Sequence, residues 1–161
     1  MRILEGKEGS EAEKLFLKAA EIARSATCQR SRCGSIIVAH SEIIGTGYNS
    51  PAGEDERQRR CKEDKENLHR KVTDKTCCVH AEQRAIMDAL RHHPEQIAGS
   101  ALYFIRLDER GEIERAGKPY CTICSKMALD TGINEFLLWQ EEGIFAYETG
   151  EYNKLSYGYG S

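Results

Sequence analysis

Nowhere in this 161-residue chain do about 18 apolar residues follow one another, so the sequence holds no candidate for a membrane-spanning helix. Residues 1–9 have no apolar stretch of the kind a secretory signal needs, which makes the cytoplasm the expected compartment. An excess of positive charge is also missing. The 23 Lys and Arg face 26 Asp and Glu for a formal charge of -3, which argues against a protein built mainly around nucleic acid while leaving room for a local basic patch. No internal repeat is visible, and the length suits one domain with a core of its own.

Cysteine, by contrast, is plentiful: seven residues, at 28, 33, 61, 77, 78, 121 and 124. In a secreted chain an odd count would mean disulfides with one thiol left over. In a reducing compartment metal ligation explains it better. Two of the seven form Cys121-Thr122-Ile123-Cys124, and some way upstream stands His80-Ala81-Glu82. One histidine and two cysteines make a three-ligand zinc site with a fourth position open to water. Glu82, two residues beyond the histidine, is the acid/base that such a water needs. Alone, the C-x-x-C pair also fits a redox dithiol or half of a structural zinc site. The combination, with the carboxylate at that offset, resembles the H-x-E…C-x-x-C signature of the zinc-dependent nucleobase and nucleotide deaminases, and the resemblance implies hydrolytic removal of an amino group from a base.

Periodicity predicts a helix over residues 10–25, opened by a Ser10/Glu13 capping box, with Ala12, Leu15, Phe16, Ala19, Ile22, Ala23 and Ala26 on its apolar face. Residues 35–39 and 43–48 read as a hairpin turning through His40-Ser41-Glu42. Over 54–75 the composition changes. Fifteen of those 22 positions are charged, seven acidic and eight basic, which reads as an exposed insertion of interspersed sign or a lid. A second helix is expected over 80–92, with Glu82, Ala85, Ile86, Ala89 and Leu90 on one stripe and Pro94 beyond its end. A strand over 101–107, a polar connection with a small hairpin over 108–117, a helix over 121–132 capped by Gly132 and a strand over 134–139 follow. The aromatic tail from 143 reads as a short helix plus an extended end, its tyrosines from Tyr147 to Tyr159 either packed or capping a pocket. This order implies a mixed sheet with helices on its faces, and an active site at strand ends where two helices begin. Cys121 and Cys124, three apart, share one side of a first helical turn, whose positive end helps hold thiolates.

The segment Thr27-Cys28-Gln29-Arg30-Ser31-Arg32-Cys33-Gly34-Ser35-Ile36-Ile37-Val38, then Ile44-Gly45-Thr46-Gly47-Tyr48-Asn49, resembles the front half of the deoxycytidylate deaminases. So does Val79-His80-Ala81-Glu82-Gln83-Arg84-Ala85-Ile86, and Cys124-Ser125-Lys126-Met127 through Gly132-Ile133 is similar to the helix after their second zinc cysteine. The resemblance spans about residues 10 to 140. It implies the α/β class: the three-layer α/β/α cytidine-deaminase-like fold, with a five-stranded mixed sheet, as a homo-oligomer. It further implies zinc on His80, Cys121 and Cys124, proton shuttling by Glu82, the substrate's sugar on Asn49 and its base against the backbone of Ala81. The expected activity is conversion of a dCMP-like cytosine nucleotide or nucleoside to the uracil form. The alternatives are deamination of another base, free guanine or a base in RNA, and a non-catalytic zinc module. The Thr-Cys-x-Arg segment favours the nucleotide branch.

Two departures bear on the substrate. Tyr120 stands between Pro119 and the first zinc cysteine, and Ser50-Pro51-Ala52 follows Asn49 where Gly-x-Pro is more usual. Cys61, His69 and one or both of Cys77 and Cys78 sit where some relatives carry a second, structural zinc, which would pin the charged insertion down. Cys28 and Cys33 are expected to pack against the first strand. Arg30, Arg32, Arg57, Arg59 and Arg60 are the cations on hand for a phosphate.

Overall fold

The computed structural model describes residues 1–160. Strand β1 (Arg2–Ile3) leads into helix α1 (Gly6–Ala23). The helix begins a full turn before Ser10, whose hydroxyl donates back to the Gly6 carbonyl at 3.1 Å instead of capping. Its apolar side, Ala12, Phe16, Ala19, Ala20 and Ala23, is buried as the periodicity requires. β2 (Arg32–Ala39) and β3 (Glu42–Tyr48) form the expected hairpin, with His40 and Ser41 at φ 50° and 65°. Two positive-φ residues are what a tight hairpin turn needs to match strand twist.

Short β4 (Ser50–Pro51) pairs with β5 (Cys78–Val79), and the charged segment between them runs as turns with Cys61 buried. α2 (Ala81–His92) buries Ala81, Glu82, Ala85, Ile86 and Ala89, but Leu90, placed on that stripe by spacing, is exposed. β6 (Ala101–Leu107) folds back on β7 (Ile113–Glu114), then come α3 (Thr122–Asp130) and β8 (Glu135–Gln140). The tail differs from expectation: residues after 142 form strand β9 (Gly143–Glu148) before helix α4 (Thr149–Tyr157).

One sheet runs β1-β9-β8-β6-β2-β3, with β7 also on β6. It therefore has seven strands where the resemblance implied five, the additions being the two-residue strands β1 and β7. Only β6 and β8 are parallel, so the sheet is mixed. α1 covers one face over Ile36, Tyr103, Ile105 and Leu137, while residues of α2, α3 and α4 cover the other over Ile37, Leu102, Phe104 and Phe136. The result is a three-layer α/β/α arrangement. Tail aromatics pack: Tyr152 stacks on Phe136 with centroids 3.8 Å apart, and Tyr147 meets it edge-on at 5.9 Å. No helix among the described residues is long and apolar enough to cross a membrane.

α2 lies unusually close to β3. A Cβ on Gly47 would stand 2.3 Å from the Ala81 carbonyl oxygen, and one on Gly45 2.4 Å from that of Ala85. Bare backbone at both positions lets the start of α2 settle onto the strand. Arg84 fastens the junction, donating to the Tyr48 and Pro51 carbonyls at 3.0 and 2.9 Å and to the Ser50 hydroxyl.

Candidate functional site

The first residues of α2 and α3 meet at the same end of the sheet. His80 precedes the first turn of α2, its backbone N–H donating to Gln83 Oε1 at 3.0 Å, and Cys121 precedes the first turn of α3. His80 Nδ1 lies 3.2 Å from Cys124 Sγ and 3.4 Å from Cys121 Sγ. Zinc bonds of about 2.0–2.3 Å to nitrogen and sulfur in tetrahedral array separate neighbouring ligands by roughly 3.5 Å, so the three atoms are spaced for one zinc ion. The chemistry of the set fits as well: two buried sulfurs and a half-buried imidazole that faces the cavity.

The ring of His80 is fixed from behind. Thr76 Oγ1 donates its single hydrogen to Asp74 Oδ1 at 2.5 Å and lies 3.4 Å from His80 Nε2. With that hydrogen committed, the hydroxyl can only accept, so in the neutral ring Nε2 carries the proton and Nδ1 is the nitrogen left free for a metal. Hydrogen bonding to Cys124 holds the Cys121 thiol down at about 4, against its burial and with further help from His80. His80 rises to about 9, chiefly through Cys121. Burial pushes the Glu82 carboxyl up to about 7, and the charge on Cys121 adds to the effect while His80 opposes it.

His80, Glu82 and Thr76 line a cavity of about 280 Å³. Asn49 is in its wall, 8% exposed, with Oδ1 accepting from Cys33 N at 2.9 Å and Nδ2 donating to the Ser31 carbonyl at 2.8 Å. Ala81 lines it too, fully buried. Five cations, Arg30, Arg60, Lys65, Lys75 and Arg106, stand around the cavity against the carboxylates Glu63 and Glu82. Of the arginines named from sequence, Arg57 is taken by Asp55 and Arg59 by Glu56 and Thr27, while Arg32 lines a neighbouring groove. Lys65, Lys75 and Arg106 were not anticipated. Arg106 hides inside an apolar strand, where its only signal is a charge at a core-facing register.

A second sulfur cluster flanks the cavity. Sγ atoms of Cys28, Cys61 and Cys78 lie within 4.8 Å of one another, and Cys77 Sγ is 3.2 Å from Cys61 and 3.7 Å from Cys78. Cys28 is thus in the cluster rather than packed on the first strand. His69 is outside it, its Nδ1 accepting from Lys71 N at 3.2 Å. Burial opposes ionisation of Cys61, but the Gln29 backbone, Cys77 and Arg59 together bring its thiol down to about 7. Cys33 lies apart from this group. Burial raises its thiol to about 11, Ser31 and the nearby Arg106 guanidinium only partly opposing.

A His/Cys/Cys group spaced for one metal ion, with a buried carboxyl beside it at the start of two helices in a three-layer α/β/α fold, is the arrangement characteristic of zinc-dependent base deaminases. Residues 9–139 match the family described as the cytidine and deoxycytidylate deaminase zinc-binding region, and the chain belongs to that family. Deoxycytidylate deaminase of Saccharomyces cerevisiae is 30% identical over 155 residues, 87% of this chain. The chain spans 43% of the length of that relative. Among solved structures, a dCMP deaminase from the cyanophage S-TIM5 in complex with dCMP and dUMP is similar at a TM-score of 0.53 and 24% identity, over 78% of this chain and 79% of that one. Cytidine deaminase from Burkholderia pseudomallei is similar at a TM-score of 0.56 and 15% identity, over 87% of this chain and 94% of that one. Both likenesses concern the fold.

Proposed function

We propose that this chain deaminates cytosine in a small, dCMP-like nucleotide, giving the uracil form and ammonia. The observation that carries the reading is the buried Glu82 carboxyl, raised to about 7 beside His80, Cys121 and Cys124, at the floor of a cavity ringed by cations. His80 Nδ1 and the two thiolates would hold zinc, which when bound supplies a Lewis acid that makes water nucleophilic near neutral pH. Glu82 is the group placed to accept a proton from the attacking water, to deliver it to ring N3 and to pass the second proton to the departing amine. A carboxyl with a pKa near the working pH populates both states this needs. Asn49, with one amide hydrogen left after its two backbone bonds, would meet the sugar, and the backbone of Ala81 the base. Arg60, Lys65 and Lys75, on the charged segment, suit a phosphate.

A second, structural zinc belongs to the same proposal, held by Cys28, Cys61, Cys77 and Cys78. Closely spaced sulfurs of this kind, beside a segment with little core, are what a closed site stabilises. Metal analysis should give two zinc ions per chain and one in C61S. One zinc in the unmodified chain would remove the second site.

The deciding assay is ammonia release from dCMP, CMP, dCTP, cytidine, deoxycytidine, cytosine, guanine, adenosine and a short RNA hairpin. Turnover is expected on cytosine nucleotides first. Glu82→Gln should lower it by about a thousand-fold with catalytic zinc retained. Preference for guanine, adenosine or RNA would overturn the substrate, and E82Q with unchanged turnover would overturn the role of Glu82.

A further inference from the structure

Successive residues of β6 face opposite sides of the sheet. Tyr103, Ile105 and Leu107 pack with α1, while Leu102 and Phe104 pack with the α2–α3 layer. The two-residue period puts Arg106 on the α2–α3 side, at the strand end, where it lines the cavity with Phe104 and Tyr120. A guanidinium at such a register needs its N–H groups paired, because each one buried bare forfeits its hydration. The pairing here is incomplete. Nη2 reaches Tyr120 Oη at 3.4 Å, Nη1 stands 3.9 Å from Glu114 Oε2, the guanidinium also interacts with the Cys33 thiol, and Nε is buried with no hydrogen-bond partner of good geometry. Thr149 Oγ1 is the one other side-chain atom among the described residues in that condition.

The remaining arginines of the cavity are differently committed. Arg30 gives Nε and Nη2 to the Cys61 and Glu63 carbonyls, and Arg60 gives Nη1 to that of Gln58. Those two, with Lys65 and Lys75, border or belong to the charged segment. Arg106 instead stands on the sheet at the base end, next to Cys33 and Tyr120, both of which feel the charge of Glu82. Tyr120 in turn is bonded directly to Cys121, so the Arg106–Tyr120 contact shapes the wall beside the ligand set.

We propose that Arg106 is a specificity-determining residue, donating a hydrogen bond to the ring carbonyl oxygen of the base held against Glu82. The assignment rests on the cytosine reading above. A charged donor on that oxygen fixes the ring in its plane and draws electron density from C4, the carbon that loses ammonia. It also selects for rings with an oxygen at that position, since a site built to donate there penalises a base without an acceptor.

The test compares the unmodified chain with Arg106→Met and Arg106→Lys on dCMP, on deoxycytidine and on their 2-thio analogues, with zinc content measured for each protein. R106M should lose about 10- to 100-fold in kcat/KM on dCMP, and by the same factor on deoxycytidine, which lacks the phosphate. R106K should recover part of the loss. The sharper readout is the oxo-to-thio ratio, because sulfur accepts hydrogen bonds weakly. The unmodified chain should favour the oxo substrate clearly, and R106M should not discriminate. Equal ratios in the two proteins overturn the proposal, as does a loss confined to dCMP, which would move Arg106 to the phosphate. If R106M fails to fold or to hold zinc, R106K decides by the same ratio. An unmodified chain inactive on both cytosine substrates overturns the proposed function and this assignment with it, whereas an active chain with an unchanged R106M ratio overturns this assignment alone.

Discussion

Thr76 controls which nitrogen of His80 is free, though neither its type nor its place in a polar run marks it out. Replacing it with valine removes the acceptor for Nε2–H and releases the ring from the Asp74–Thr76 chain. Partners of metal-bound histidines are typically worth about 10- to 100-fold in metal affinity. T76V should therefore lose zinc to a competing chelator at correspondingly lower chelator concentration, and an unchanged titration would remove Thr76 from the site. The four residues His80, Glu82, Cys121 and Cys124 were readable because short spacings on first helical turns leave little freedom. Cys28, Thr76 and Arg106 were not. Cys28 and Thr76 reach the site through irregular backbone, and Arg106 through strand register, and no local spacing encodes either route.

Elements show the same division. Both long helices and β2, β3, β6 and β8 follow hydrophobic periods, and the structure has them within a few residues of expectation. β1 spans two residues and β9 carries buried side chains on both faces, so neither shows clean alternation, and the aromatics of β9 passed for a tail. The capping pattern at Ser10 misled for a related reason: Gly6 to Gly9 can extend the helix backwards when Leu4 anchors it, with Leu4 N donating to the Ile144 carbonyl at 2.8 Å. α1 then depends on Phe16, fully buried against Tyr103 and Trp139 at 5.1 and 5.7 Å. Phe16→Ala should cost about 3–5 kcal/mol in denaturant unfolding, and a loss under about 1 kcal/mol would mean the cavity collapses freely. The β3–α2 contact is tighter still. Gly47→Ala places a methyl on the Ala81 carbonyl, so α2 has to lift and carry His80 and Glu82 with it. A kcat loss of at least about tenfold is expected, since misplacement by an ångström can cost far more. Unaltered kcat in G47A would show that the site tolerates that shift.

At the scale of the whole molecule, an overall charge of -3 conceals a cavity lined by more cations than anions. Composition averages over both, which is why it could exclude a nucleic-acid scaffold but not identify an anionic small molecule. The charged segment is the part with least core: among residues 54–75 only Cys61 is buried. Its many Lys and Arg make it a trypsin target, and its hold on the body of the protein runs largely through the sulfur cluster and through Arg30 and Arg59. Chelation of zinc should accelerate tryptic cleavage within 54–75 several-fold before the sheet unfolds, as loss of a metal clamp predicts. Equal cleavage rates with and without zinc would show that the segment is held by its arginines alone.

Strand β1 lies beside β9, Arg2 opposite Ala146 and Ile3 opposite Phe145, and the Met1 ammonium pairs with Glu151. That edge joins the two extremes of the described chain, so the pairing closes a loop of nearly its whole length and comes at the largest entropic cost of any in the sheet. Until β1 pairs, β9 stands as an open edge, with a row of peptide groups facing outward and Ile144 and Phe145 beside them, a template on which a second unfinished chain could assemble. Residues 2 and 3 thus act as a guard on the outer edge of β9.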